Sequence, residues 1–152
     1  MQLSPKENSL LKDLTGQEKL CIEKYSKNAC MAKDSQLKDL FNHLSQNEQQ
    51  HLNMLTQIQN GTVPQVPQGI AQTKSQTFNS VYTSYESEDK KNDCYLCSDV
   101  LAAEKHASAL YDTSIFEFKD EKVRNVLNHI QKDEQEHGKK IYDYMSANGM
   151  YN

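Results

Sequence analysis

The sequence predicts an all-α protein, a four-helix bundle made of two repeated helical hairpins joined by a long crossover. Two observations lead to this prediction. Apolar residues recur at intervals of three and four in four stretches of about 25 residues, which is the period of a helix with one buried face. The pattern of the first hairpin also returns in the second when 86 is added to each residue number. At 152 residues the chain is long enough for one compact domain with its own core.

The first hairpin is predicted over residues 8–60. Its first helix, residues 8–32, has an apolar stripe formed by Leu10, Leu11, Leu14, Cys21, Ile22, Tyr25, Ala29 and Ala32. Asp34 is suited to cap the second helix and Gly61 to end it. The apolar face of the second helix consists of Leu37, Leu40, Phe41, Leu44, Leu52 and Leu55.

The crossover is predicted over residues 61–92, which are polar and rich in Gln, Ser and Thr. Its length has a geometric use, because a helix of 25 residues is roughly 37 Å long and an extended segment can span it. The second hairpin is predicted over residues 93–147, with Asp93 as the N-cap of its first helix and Gly149 just beyond its end. Two similar hairpins connected in this way predict a bundle with an approximate two-fold axis.

Composition narrows the classes of function. The net charge of −4 gives no reason to expect a nucleic-acid partner. The sequence contains no run of eighteen apolar residues, so no membrane span is expected, and its first residues lack the apolar stretch of a signal peptide. We therefore expect synthesis in the cytoplasm, with the four cysteines as reduced thiols.

One residue pattern occurs twice: a lone glutamate is followed thirty residues later by a second glutamate and, three residues after that, by a histidine. These six residues are Glu18, Glu48, His51, Glu104, Glu134 and His137. Each lies on the apolar face of its helix, where burying a carboxylate is costly unless a cation compensates. Two divalent metal ions would supply that charge, and mixed oxygen and nitrogen ligands favour iron or manganese, although zinc can occupy such sites. The alternatives are surface positions, or an inherited site that no longer holds metal.

The order Glu, Glu-x-x-His, Glu, Glu-x-x-His on four successive helices resembles the ferritin-like superfamily of di-iron carboxylate proteins, which includes rubrerythrins and bacterioferritins. By this resemblance the two lone glutamates are terminal ligands, the second glutamate of each set bridges two metal ions, and each histidine caps one ion. The resemblance also implies a possible role as a rubrerythrin-like oxidase or peroxidase acting on peroxide or dioxygen. Nothing in the sequence specifies an iron-storage shell.

A closer resemblance covers the segment from Tyr95 to Tyr151, which is similar to the coat F family of spore coat proteins. It is carried by the stretches Asp99-Val-Leu-Ala-Ala-Glu-Lys105, Asp133-Glu-Gln-Glu-His137 and Tyr144-Met-Ser-Ala-Asn-Gly-Met-Tyr151. The first half of the chain resembles the same unit less closely. The resemblance implies location in the spore coat, with other coat proteins or further copies of the chain as partners.

Tyr25 and Tyr111 each follow a lone glutamate by seven residues and so lie on the same helix stripe. We expect their hydroxyl groups to support the ligand carboxylates through hydrogen bonds. The alternatives are that both are core tyrosines whose hydroxyl groups find some other partner, or that they have a one-electron role beside activated oxygen.

Two cysteines and three further histidines are predicted to lie outside the metal site. Cys94 and Cys97 form a single C-x-x-C, where a helix N-terminus would lower a thiol pKa, although Cys97 can equally pack in the core. His43 and His129 repeat but fall one position off the apolar stripe, and His106 has no counterpart in the first half.

Overall fold

The computed structural model describes residues 1–67, 76–83 and 85–151, and these form four α-helices. The helices are α1 (Pro5–Met31), α2 (Ser35–Gln59), α3 (Glu88–Ile115) and α4 (Glu121–Ala147). The prediction of an all-α four-helix bundle is confirmed. Part of the predicted crossover, residues 68–75 and 84, lies outside the described residues. None of the four helices is long and apolar enough to cross a membrane.

Contacts between the helix ends define the topology. Asp93, in the second turn of α3, accepts hydrogen bonds of 2.8 and 2.9 Å from the backbone N–H groups of Lys33 and Asp34, just after the end of α1, so these helices run antiparallel. Tyr144, near the end of α4, donates to Asp34 at the start of α2 over 2.8 Å, so α2 and α4 are antiparallel as well. The end of α2 and the start of α3 lie at opposite ends of the bundle. The crossover therefore has to run the full length of the bundle.

The start of α3 differs from the sequence prediction. The helix begins at Glu88, with Ser87 as its N-cap accepting a hydrogen bond of 3.1 Å from the backbone N–H of Lys90. The prediction that Asp93 caps α3 was wrong. Charged residues fill the first turns of this helix at exposed positions (Glu88, Asp89 and Lys91) and at buried ones (Lys90 and Asp93) alike, and this made the segment resemble the crossover. Asp93 instead lies inside the helix, fully buried.

Asp93 and Glu7 hold the two ends of the bundle together in the same way. Asp93 accepts hydrogen bonds from the backbone N–H groups of Lys33 (2.8 Å) and Asp34 (2.9 Å), in the turn between α1 and α2. Glu7 of α1 accepts one from the backbone N–H of Lys119, in the turn between α3 and α4, over 3.0 Å. Both pairs are related by the 86-residue offset, so the repeat extends to the turns. We call these two contacts the end clasps.

The hydrophobic core consists of two clusters, one toward each end of the bundle. One cluster includes Tyr25, Leu37, Leu40, Phe41, Leu44, Cys97, Val100, Ile141 and Tyr144. The other includes Tyr111, Val123, Val126, Leu127, Ile130, Leu11, Leu14, Leu55 and Ile58. Adding or subtracting 86 converts these members of one cluster into those of the other, in the order given. The approximate two-fold axis therefore relates the packing as well as the sequence.

Candidate metal centre

The six residues of the doubled pattern meet in the layer between the two apolar clusters. Their exposed fractions are at most 2%. All four helices contribute, because α1 and α3 each carry a lone glutamate and α2 and α4 each carry a Glu-x-x-His set. On α2 and α4 the spacing of three residues puts both side chains on the inner face of the helix.

The six side chains form two overlapping groups, and in each group the ligand atoms lie within 4.8 Å of one another. One group is Glu18, Glu48, His51 and Glu134, and the other is Glu48, Glu104, Glu134 and His137. We call them the His51 half-site and the His137 half-site. Glu48 and Glu134 belong to both, so two cations bound here would lie side by side. This is where the resemblance had placed the bridging carboxylates.

The histidines direct Nδ1 toward the shared carboxylates. Nδ1 of His51 lies 3.0 Å from Glu48 Oε2 and 2.9 Å from Glu134 Oε1. Nδ1 of His137 lies 3.1 Å from Glu48 Oε1 and 3.3 Å from Glu104 Oε1. The two rings are stacked, with centroids 5.6 Å apart. Both imidazoles therefore present the same nitrogen to the interior of the centre.

Each buried tyrosine reaches across to the other hairpin. Tyr25 of α1 donates a hydrogen bond to Glu104 of α3, and Tyr111 of α3 donates one to Glu18 of α1. Burial and the neighbouring carboxylates raise the pKa of both phenols, which stay protonated as donors. The predicted support of the ligand carboxylates is thus present as a hydrogen bond, but it crosses the two-fold axis instead of running along one helix.

Burial strongly perturbs the carboxylates. It raises the pKa of Glu18, as does the adjacent carboxylate of Glu48, and it raises the pKa of Glu134 together with the neighbouring Glu104. Burial also acts to raise the pKa of Glu48, but hydrogen bonds from His137 and His51 outweigh it, so this pKa is lowered. Glu48 is therefore the carboxylate that the two imidazoles keep ionised.

The pKa values of both histidines are raised. Burial acts to lower the pKa of each imidazole, but hydrogen bonds to carboxylates outweigh it. The bonds of His51 to Asp133 and Glu48 raise its pKa to about 10. Those of His137 to Glu104 and Glu48 raise its pKa to about 9. When no cation is bound, protons therefore balance part of the negative charge of the centre.

The residues present fit a divalent metal ion. Among the described residues, three buried carboxylate oxygens have no hydrogen-bond partner: Glu18 Oε2, Glu104 Oε2 and Glu134 Oε2. Glu134 Oε1 has only Nδ1 of His51 nearby, at 2.9 Å, and Glu48 competes for the same nitrogen. Leaving such atoms unpaired is costly, and a cation would satisfy all of them. The donor set, carboxylate oxygens with one imidazole in each half-site, suits iron, manganese or zinc.

Sequence reasoning did not include Asp133 in the site. Its Oδ2 lies 3.0 Å from Nε2 of His51, on the outer side of the ring, and 3.5 Å from Nε2 of His129. Asp133 directly precedes Glu134, but the equivalent residue in the first half is Asn47. Because this carboxylate has no match in the first half, the 86-residue repeat does not indicate Asp133. The positions of His43 and His106 are exposed, as expected for residues outside the site.

The C-x-x-C lies away from a helix end. Because α3 begins at Glu88, Cys94 and Cys97 are inside the helix and not at its N-terminus, so the expected activation by that terminus does not apply. Burial raises the pKa of Cys97, as do Cys94 and Asp93. Cys97 belongs to an apolar cluster, in agreement with the alternative that it packs in the core.

Comparison with solved structures identifies the fold. A two-domain protein from Anabaena variabilis, with DJ-1/ThiJ/PfpI-like and ferritin-like domains, matches with a TM-score of 0.68 and 18% identity. The match covers 94% of this chain but only 37% of that protein. A dodecameric thioferritin, the bacterioferritin-related protein from Bacteroides fragilis, matches with a TM-score of 0.64 and 18% identity, over 93% of this chain and 84% of that one. The chain is a ferritin-like four-helix bundle.

The sequence match is more specific and covers the second hairpin. Residues 92–152 match the model of the Coat F domain family. No curated protein sequence matches the chain significantly. Both parts of the predicted resemblance, the ferritin-like bundle and the coat F segment, are thus confirmed.

Proposed function

We propose that this chain binds a pair of divalent metal ions, with iron as the expected metal and manganese or zinc as substitutes. The observation that supports this most directly is the set of buried carboxylate oxygens within the two half-sites that lack a hydrogen-bond partner among the described residues. A buried cluster of four carboxylates is unfavourable in a protein interior unless positive charge is close by. Without metal, protons on Glu18, Glu134 and the two histidines have to balance the charge, whereas two divalent ions can balance all four carboxylates while these stay ionised.

In this proposal each half-site holds one ion. Glu18 and His51 would hold one of them, Glu104 and His137 would hold the other, and the shared glutamates would contact both. Bound iron would supply redox chemistry, and the protein would supply fixed ligands and a dry interior. Tyr25 and Tyr111 would restrain the two terminal carboxylates from the opposite hairpin.

Removal of the shared carboxylates tests the proposal. The chain is reconstituted anaerobically with ferrous iron, desalted and analysed for metal by mass spectrometry. We expect about two ions per chain, and fewer than one for the variant Glu48→Gln/Glu134→Gln. A control variant, Glu23→Gln/Glu86→Gln, changes side chains that are 59% and 64% exposed and should bind like the unmodified chain. Less than one ion in the unmodified chain, unaffected by the first variant, would leave only a helical scaffold.

The Coat F match supports a second part of the proposal, that the protein works in the spore coat. Its partners there would be other coat proteins or further copies of the same chain. The test is to follow a tagged copy during sporulation and compare purified spore coats with vegetative cytoplasm. We expect enrichment in the coat fraction, and exclusive recovery from vegetative cytoplasm would contradict this location.

The side-by-side half-sites also favour an enzymatic alternative, a rubrerythrin-like oxidase or peroxidase. The two half-sites would hold two iron ions, which in the ferrous state would supply the two electrons that reduction of peroxide to water requires. Peroxide consumption by the iron-loaded chain, compared with the Glu48→Gln/Glu134→Gln variant, tests this. Equal rates of peroxide consumption in the two proteins would exclude the enzymatic function but would not contradict the proposed metal binding.

A further inference from the structure

The two half-sites are alike in their ligands but differ on the outer side of their histidines. Glutamates, histidines and tyrosines all repeat at an offset of 86 residues, and each tyrosine makes the same cross-axis hydrogen bond. The repeat breaks at Asp133, whose counterpart is Asn47. This position immediately precedes a shared glutamate in both hairpins, so the difference lies directly beside the centre.

The imidazole ring of His51 has carboxylate partners at both of its nitrogen atoms. Its Nδ1 faces the shared carboxylates, and its Nε2 lies 3.0 Å from the carboxylate of Asp133. A carboxylate acceptor at Nε2 keeps the proton on that nitrogen, which leaves the lone pair of Nδ1 directed at the centre. Such a partner also fixes the ring orientation and makes the imidazole a stronger ligand.

His137 has contacts on the inner side only. Its Nδ1 approaches Glu48 and Glu104, but no described residue forms a hydrogen bond with its Nε2. The residue that the repeat places opposite it is Asn47, a neutral amide that cannot supply the charge of a carboxylate. This ring consequently has neither the fixed tautomer nor the added basicity of His51.

We infer that the two half-sites are inequivalent and that Asp133 is a positioning residue, which makes the His51 half-site bind a divalent cation first and more tightly. This inference rests on the proposed function. Loss of a hydrogen-bonded partner of a ligand histidine typically lowers metal affinity about 10- to 100-fold. We therefore expect the two cations to bind in two steps separated by a factor of that size.

The experiment exchanges the two residues that differ. The full chain, Asp133→Asn, Asn47→Asp and the double exchange are stripped of metal and titrated with cobalt(II), which reports ligand geometry through its visible absorption. Calorimetry follows the same titrations. Circular dichroism before each titration shows whether every variant is folded.

Each variant has a distinct expected result. The unmodified chain should bind cobalt in two steps, and Asp133→Asn should lose the tight step, leaving two ions bound weakly. Asn47→Asp should strengthen the weak step, and the double exchange should restore two separate steps. A merely structural effect of Asp133 would not be rescued by a carboxylate 86 residues away in the sequence.

Two outcomes would overturn the inference. Equal affinity of both sites in the unmodified chain, or an isotherm of Asp133→Asn identical to that of the unmodified chain, would show that Asp133 does not differentiate the half-sites, while the proposed metal centre would stand. Absence of cobalt binding in all four proteins would overturn the proposed function and this inference together.

Discussion

Tyr25 and Tyr111 connect Glu104 and Glu18, the two carboxylates that the half-sites do not share, to the opposite hairpin. The hydroxyl of each tyrosine is the hydrogen-bond donor to a buried glutamate of the other hairpin. The same contact therefore serves two purposes: it satisfies a buried carboxylate and it fixes how α1 and α3 pack. A phenylalanine could replace the ring in the core but not the hydroxyl.

The variants Tyr25→Phe and Tyr111→Phe are expected to lower the free energy of unfolding by about 1–3 kcal/mol each, because a buried carboxylate loses its donor. Urea denaturation of the metal-stripped chain, followed by circular dichroism, measures this. Tyr95→Phe serves as the control, since Tyr95 is 71% exposed and its change should lie within about 0.5 kcal/mol of zero. Equal stabilities of the buried and exposed variants would contradict the role of these hydroxyls.

The histidines give the metal-stripped chain a defined pH dependence. Folding raises the pKa of His51 from 6.5 to about 10 and that of His137 from 6.5 to about 9. The folded state therefore binds protons more tightly than the unfolded state. This contribution to stability is fully present below pH 6.5 and is lost as the pH rises through the folded pKa values.

We expect the urea midpoint of the metal-stripped chain to fall between about pH 6.5 and pH 10. The raised pKa values of Glu18 and Glu134 act in the same direction, and the lowered pKa of Glu48 acts only below this range. His51→Gln should reduce the slope, and saturation with metal should remove it, since a bound cation replaces the protons. A midpoint that stays constant or rises across this range would be inconsistent with protonated imidazoles in the centre.

At the scale of the elements, the end clasps explain how two polar turns are held against the bundle. Asp93 and Glu7 are buried acids that occupy equivalent positions, yet neither belongs to the metal centre. Each accepts a hydrogen bond from a backbone N–H group in the turn of the opposite hairpin. The tertiary structure therefore uses buried carboxylates for two different tasks, holding turns and forming the centre.

Asp93→Ala should destabilise the chain by about 1–3 kcal/mol, because two backbone N–H groups in the turn lose their acceptor. Asp112→Ala, on the exposed side of the same helix, is the control and should change the free energy of unfolding by less than about 0.5 kcal/mol. Metal stoichiometry should persist in both variants, since Asp93 lies roughly 16 Å along α3 from Glu104. Loss of metal without loss of stability would assign Asp93 a different role.

At the scale of the whole molecule, the centre connects all four helices at mid-height. Neither hairpin contains a complete half-site, because each group of ligands includes residues from both hairpins. Bound metal would therefore add a link between the hairpins in the folded state that the unfolded chain cannot form. Metal binding and the stability of the bundle should be coupled.

Saturation with a divalent metal should raise the melting temperature, and chelation should reverse the increase. At a free metal concentration of 100 times the Kd of one half-site, that site alone contributes about 2.7 kcal/mol, which corresponds to roughly 5–10 °C for a domain of this size. Differential scanning calorimetry measures the shift. The Glu48→Gln/Glu134→Gln variant should show little or none, and an equal shift in that variant would indicate metal bound elsewhere.

The helical period and the 86-residue repeat were sufficient to predict four helices, two hairpins and six interior ligands, because these features depend on spacing along a regular helix. The start of α3 was predicted incorrectly, since the first turns of this helix have the same polar composition as a linker. Asp133 and the end clasps were also missed. Their roles arise between residues distant in the chain, where periodicity carries no information.

The sequence by itself therefore determined the fold class, the symmetry of the two hairpins and the identity of the candidate ligands. Only the tertiary structure decided which carboxylates the two half-sites share, which hairpin each tyrosine supports, and that Asp133 lies behind His51. The physical reason is that helical phase sets the direction of a side chain, whereas its partner depends on how helices pack against one another. The break in the repeat at Asp133 and Asn47 became meaningful only when the structure placed it beside a ligand.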